Sequence, residues 1–80
     1  MDQTVYKVLT ELNFPDMNYV ITKEFDRWVI RITQTEDIEI LIELMWDNGG
    51  WIACVLDHKG MTHSTKALIM NTFMKHLEVD

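Results

Sequence analysis

The sequence predicts an α+β fold in two layers, a four-stranded antiparallel meander flanked by N- and C-terminal helices in the order α-β-β-β-β-α. Three observations predict it. Helical periodicity is confined to the two ends, period-two alternation lies between them, and short connections favour antiparallel neighbours. Because the chain has only 80 residues, of which 48% are hydrophobic, we expect a single domain over residues 1–80.

The first predicted helix covers Asp2 to Leu12. Asp2 is the expected N-cap, since its carboxylate can accept a free N–H of the first turn. Pro15 follows the helix and disfavours helical backbone at Phe14, so the helix is expected to end before it. The apolar residues share one face at a 3.6-residue period, and these are Val5, Val8, Leu9 and Leu12.

Two strands are predicted next, over residues 18–23 and 28–34. The first is rich in β-forming residues, and a turn region at 23–27 separates it from the second. In the second strand Trp28, Ile30 and Ile32 alternate with Val29, Arg31 and Thr33, which indicates one buried face.

A β-hairpin is predicted over residues 37–57. Strict alternation from Asp37 to Asp47 marks one strand, Asn48-Gly49 is a typical type I′ turn, and 51–57 is the returning strand. A two-residue turn places Trp46 opposite Trp51, with both in the core. On the other face it pairs Leu41 with Leu56, Glu43 with Cys54 and Glu39 with His58. If Gly50 joins the loop instead, the last strand swaps faces.

The final helix is capped by Thr62 or Ser64 and runs to about Leu77. Its apolar face is formed by Ile69, Met70, Phe73, Met74 and Leu77. The sequence leaves two packing arrangements open. Either both helices cover one face of the sheet and leave the other exposed, or one helix covers each face.

The formal net charge of −6 is concentrated in the centre of the chain. Six acidic and no Lys or Arg residues lie between Arg31 and Lys59. The charge disfavours direct binding of nucleic acid, which needs clustered Lys and Arg. A single cysteine, Cys54, excludes an internal disulfide and fits a reducing compartment. No signal peptide and no apolar run of membrane-spanning length is visible, so we expect a cytoplasmic protein without membrane contact.

A metal site is one candidate for chemistry. Cys54, His58 and His63 follow a C-x₃-H-x₄-H spacing, and the predicted register places Cys54 and His58 on one strand face. A small metal-dependent enzyme using these residues is therefore an alternative function. A fourth ligand is not evident, and Glu43 beside Cys54 disfavours a reactive thiolate. We therefore expect a non-enzymatic protein without catalytic residues, metal or cofactor.

Nucleic-acid mimicry is a second alternative. Asp37, Glu39 and Glu43 are predicted along one strand face, with Asp37 and Glu39 roughly 6.6 Å apart. Such a row of carboxylates resembles neighbouring phosphates and would compete for the basic groove of a nucleic-acid enzyme.

The favoured hypothesis is a protein-binding face on the hairpin. If both helices cover one side of the sheet, the other side shows Leu41, Met45, Ile52, Leu56 and Val29 among Glu39, Glu43 and Arg31. Apolar residues among charges are typical of interaction surfaces. The sequence thus predicts a small acidic regulator or inhibitor that occludes a larger protein partner, with a homodimer as the simplest form of the interface. Phages and other mobile elements encode accessory inhibitors of this general profile, which is an analogy of class alone. The predicted partner-binding residues are Asp37, Glu39, Leu41, Glu43, Met45, Ile52 and Leu56.

Overall fold

A four-stranded antiparallel sheet lies between an N-terminal and a C-terminal helix in the order of the chain. The computed structural model describes the backbone of residues 1–79 and the side chains of residues 1–77. The strands follow one another in chain order across the sheet. The predicted fold class is confirmed. The elements are α1 (Asp2–Leu12), β1 (Asn18–Glu24), β2 (Arg27–Thr35), β3 (Ile38–Asp47), β4 (Gly50–Lys59) and α2 (His63–Val79).

The first helix has the predicted bounds but a different N-cap. Met1 occupies the cap position, and the Val5 N–H donates to the Met1 carbonyl at 3.0 Å. Asp2 is the first helical residue, and none of the side chains in residues 1–77 caps the helix, so the prediction for Asp2 is wrong. Its carboxylate instead lies in the first turn, where the helix dipole favours negative charge. Asn13 ends the helix with left-handed backbone at φ 54°.

The β3–β4 hairpin has the predicted two-residue turn. Asn48 and Gly49 both have positive φ, 49° and 80°, as a type I′ turn requires. Asp47 pairs with Gly50 and Trp46 with Trp51, so Gly50 belongs to the strand and not to the loop.

Both helices pack on one face of the sheet, which settles the packing arrangement that the sequence left open. The buried residues of β2 and β3 alternate along each strand, and they pair across the strands as Ile30 with Ile42 and Ile32 with Ile40. They form a single core with buried residues from both helices. None of the strand residues between them is buried. The core consists of Val5, Val8, Ile30, Ile32, Ile40, Ile42, Leu44, Ile69, Phe73 and Leu77.

A β-bulge in β4 changes the predicted register beyond Val55. Val55 pairs with Ile42, but Leu41 pairs with Asp57, so Leu56 is an extra residue. The predicted pairs Leu41–Leu56 and Glu39–His58 are therefore wrong. Glu39 pairs with Lys59, and His58 pairs with the core residue Ile40. At a bulge two residues of one strand lie opposite a single residue of the other. Every later residue of the bulged strand therefore points to the opposite sheet face from the one that regular alternation predicts.

The sequence predicts that Trp46 lies in the core, and this prediction is wrong because the residue is 59% exposed. It lies two residues beyond Leu44, the last buried residue of β3, where the sheet extends past the core. Its neighbour Trp51 is half-buried, and the two rings meet edge to face with centroids 5.4 Å apart. This edge-to-face pair is a favourable aromatic arrangement that leaves one ring in solvent.

The second helix is capped by Thr62, the first of the two predicted candidates. The Thr65 N–H donates to Thr62 Oγ1 at 3.2 Å, while Ser64 already lies within the helix. The predicted apolar face is confirmed, since Ile69, Phe73 and Leu77 are buried and the two methionines are partly buried against them.

Candidate protein-binding face

The sheet face that points away from both helices is called the open face here. It combines uncovered apolar side chains with ion pairs. Cross-strand pairing aligns its residues in rows that run from β1 to β4. The rows are Glu24–Arg27–Met45–Ile52, Thr22–Val29–Glu43–Cys54, Val20–Arg31–Leu41–Asp57 and Asn18–Thr33–Glu39–Lys59.

Apolar side chains on the open face are exposed far more than a core would allow. Val20 is 62% exposed, Leu56 49% and Ile52 42%. Val29, Leu41 and Met45 are half-buried between the charged side chains of the neighbouring strand. Exposed apolar groups beside charged ones are typical of surfaces that bind another macromolecule.

Basic residues on β2 and acidic residues on β3 form two adjacent columns of opposite charge. Arg27 Nη1 donates to Glu43 Oε2 at 2.9 Å, and Arg31 Nη1 donates to Glu39 Oε1 at 2.7 Å. Both pairs run diagonally between neighbouring rows, since Arg27 pairs in register with Met45 and Arg31 with Leu41. The carboxylates of Glu39 and Glu43 are thus each paired with an arginine of the same chain.

The pair at Arg27 extends to the neighbouring turn. Arg27 Nε donates to Asp26 Oδ1 at 2.9 Å, and this hydrogen bond lowers the pKa of the Asp26 carboxyl. Hydrogen bonds to Asp26 and then Glu43 raise the pKa of the Arg27 guanidinium above its usual value. The Glu43 side chain is only 14% exposed, so this pair is the more buried of the two on the face.

Asp37 lies outside the open face. It is in the turn before β3, its side chain is 91% exposed, and its Oδ1 is 3.8 Å from Lys59 Nζ. With Glu39 and Glu43 held by arginines, the predicted row of three free carboxylates is not present as such. This arrangement does not favour mimicry of a nucleic-acid backbone, which requires exposed and unpaired charge.

The three candidate metal ligands are not brought together. Cys54 is exposed on the open face opposite Glu43, whereas the bulge turns His58 to the helix side. There the Lys66 ammonium lies 3.0 Å from His58 Nε2. His63 begins α2 and is exposed. The prediction that Cys54 and His58 share a face is wrong, and within residues 1–77 no three His, Cys, Asp or Glu residues converge as metal ligands.

Two shallow depressions flank Tyr6 on α1. One, of about 290 Å³, reaches Tyr19, and the other, of about 280 Å³, reaches Glu11 and His76. Both are wide open, and their volumes are at the lower limit for small-molecule sites. In the second depression the Thr10 hydroxyl donates to the Tyr6 carbonyl at 2.8 Å.

The open face is wider than the hairpin that the sequence singled out. Five of the predicted residues on β3 and β4 share it with Leu56 at the bulge, but β1 and β2 supply Val20, Thr22, Arg27 and Arg31. The signal for β2 was present in the sequence, because its residues alternate with the core residues Ile30 and Ile32. This alternation predicts Val29 and Arg31 on the open face, whereas Arg27 precedes the predicted strand 28–34 and carries no such signal.

Comparisons with known proteins give no match: no family model, no curated protein and no solved structure matches this chain. None of the helices in residues 1–79 is both long enough and apolar enough to cross a membrane.

Proposed function

We propose that the protein is a small non-enzymatic regulator that binds a larger protein through the open face and occludes a surface of that partner. The observation that carries this proposal is the exposure of Val20, Ile52 and Leu56 on a sheet face that neither helix covers. An uncovered face of this kind costs solubility unless another surface buries it.

The ion pairs of the open face support the same function. Burial of a charged side chain is costly unless the charge is paired and hydrogen-bonded. Arg27 and Arg31 already hold Glu43 and Glu39, so a partner can cover the centre of the face without leaving an unpaired carboxylate there. Paired charges on the two central strands can therefore be covered together with the exposed apolar side chains of the outer strands.

The proposed setting is the cytoplasm, and the proposed class is that of accessory regulators such as those of phages and other mobile elements. One cysteine in 80 residues, and that one exposed and free, is compatible with a reducing compartment. The partner's chemistry follows from the face: a largely apolar protein surface that tolerates the net acidity of this chain.

The test compares two arginine substitutions at leucines of matched exposure. Leu56, 49% exposed, lies at the open face, and Leu68, 48% exposed, lies on α2. Tagged wild-type protein, Leu56→Arg and Leu68→Arg are used for capture from a nuclease-treated lysate of the native host, and stoichiometric partners are identified by mass spectrometry. We expect wild type and Leu68→Arg to retain the same protein, and Leu56→Arg to lose it with an unchanged circular dichroism spectrum.

Three outcomes would count against the proposal. Retention of the partner by Leu56→Arg would exclude the open face as the site, and equal loss in both variants would indicate a general effect of added charge. A partner that binds nucleic acid and is released as salt rises would favour mimicry instead, since exposed charge pairs are screened by salt.

A further inference from the structure

The four charged residues that form ion pairs across the centre of the open face are arranged antisymmetrically about the boundary between β2 and β3. Arg27 and Arg31 lie on one side of this boundary, and Glu39 and Glu43 lie on the other. A second copy, turned by 180° about an axis that runs along this boundary above the sheet, places its acidic column over the basic column of the first. Because the axis is parallel to the strands, the rotation leaves each row at the same position along the strand direction, so equivalent rows of the two copies face each other.

We infer that the open face is the docking site for a second copy of this chain, packed sheet against sheet about this two-fold axis. The inference rests on the proposed function only in treating the open face as an interaction surface. It names a second copy of the chain as the partner of that surface when the purified protein is alone in solution. The operation is isologous, so every contact occurs twice and the dimer is closed.

The same rotation brings exposed apolar residues of the two outer strands together. The β1 column of one copy lies over the β4 column of the other, which places Val20 over the Leu56–Asp57 bulge of the second copy. Val20 and Leu56 are 62% and 49% exposed in the single chain, so both have surface to bury.

The ion pairs suit this arrangement because each guanidinium has further donors. Arg31 uses Nη1 for Glu39 of its own chain and is still 50% exposed. In the dimer it lies above Leu41 and diagonally above Glu39 and Glu43 of the second copy. Arginine presents five N–H donors in a planar fork, so it can bind a second carboxylate without releasing the first.

The face is large enough for a specific dimer. Strands of 7 to 10 residues, about 4.8 Å apart and about 3.3 Å per residue, give a flat outline of roughly 500 Å². Two such faces bury about 1,000 Å² together, which reaches the lower limit for a specific interface. A larger protein partner would then compete with the second copy for the open face.

The test uses the native Cys54 as a reporter of the two-fold axis. Thr22 and Cys54 lie in one row but three strands apart, about 14 Å within one chain, whereas the rotation places Thr22 directly over Cys54 of the second copy. Thr22→Cys is treated with a bismaleimide too short to link the two positions within one chain. Asn18→Cys is the matched control, on the same strand and face but about 13 Å further along it.

We expect Thr22→Cys to give about tenfold more covalent dimer than Asn18→Cys or wild type, because facing sheets are about 10 Å apart and only the pair 22–54 lies in register. The linked peptide should join positions 22 and 54. Sedimentation of the untreated wild type should give a mass of twice 9.5 kDa that decreases on dilution.

A wild type that sediments as a monomer at all concentrations would overturn the dimer, and so would equal linking from positions 18 and 22. These experiments use purified protein alone, so their failure leaves the capture of a larger partner untouched. Conversely, a dimer with the 22–54 link but no captured partner would overturn the proposed function and retain the dimer.

Discussion

Gly60 connects β4 to α2 at a point where its backbone passes close to the turn before β3. Its φ is +69°, in the left-handed region, and a Cβ added there would overlap the carbonyl oxygen of Asp37. Left-handed backbone costs a residue with a Cβ about 1–2 kcal/mol, and overpacking adds about 1–3 kcal/mol. We therefore expect Gly60→Ala to lower the free energy of unfolding by about 2–5 kcal/mol, measured by urea denaturation.

Gly49 provides the control for this substitution because it shares only one of the two causes. Its φ is +80°, but a Cβ added there meets nothing within 4 Å. We expect Gly49→Ala to cost only the backbone strain of about 1–2 kcal/mol. Equal losses for the two variants would contradict the close approach of Gly60 to Asp37.

At the scale of the element, the cap of α2 depends on one hydroxyl. Thr62 Oγ1 accepts the Thr65 N–H, and a side-chain oxygen in this position satisfies a donor that the helix itself cannot. Thr62→Ala should lower the free energy of unfolding by about 1 kcal/mol. Ser64→Ala is the matched control, since Ser64 already has helical backbone, and alanine favours the helix by a few tenths of a kcal/mol. Thermal unfolding of both variants would show the prediction wrong if Ser64→Ala were the more harmful.

Sequence patterns predicted those elements whose information is local. The alternation of β3 and the Asn48-Gly49 turn each depend on a few adjacent residues, and both are confirmed. The bulge at Leu56 has no local signal, because no Gly or Pro lies near it and the segment continues as a strand. It is a property of the pairing with β3 and not of β4 alone. This single feature separated Cys54 from His58 and removed the metal candidate.

At the scale of the whole molecule, the sequence left open which face the helices cover. Both faces carry apolar residues at alternate positions, and hydrophobic periodicity only shows that a face can be buried. The face that is covered has an uninterrupted set of large residues, Ile30, Ile32, Ile40 and Ile42 among them. The open face has Arg27 and Arg31 between its apolar residues, and these could not enter a core without large desolvation cost.

An exposed hydrogen bond links the two helices. The Glu11 carboxylate of α1 accepts it from Lys75 of α2 at 3.0 Å. This hydrogen bond is the main cause of a lowered pKa for Glu11. His76 Nε2 lies 3.3 Å from the same oxygen without the alignment of a hydrogen bond, and adds to the shift by its charge when protonated. The contact therefore joins residues that are far apart in the sequence.

The sign of the pH dependence follows from the direction of this shift. Because the pKa of Glu11 is lower in the folded than in the unfolded chain, its stabilisation is complete above the unfolded value and is lost as pH falls through the folded value. Lys75→Met removes the partner but keeps an apolar stem. We expect the difference in unfolding free energy between wild type and Lys75→Met to be constant near neutral pH and to vanish in the acid range.

Lys66→Met removes the same charge from the same helix and is the control. Among the described side chains Lys66 contacts His58 and no carboxylate, so its effect should not change across the acid range in which carboxyl groups titrate. Urea denaturation of the three proteins across acid and neutral pH separates the two cases. A Lys75→Met difference that stays constant into the acid range would show that Glu11 does not hold the helices together through its charge.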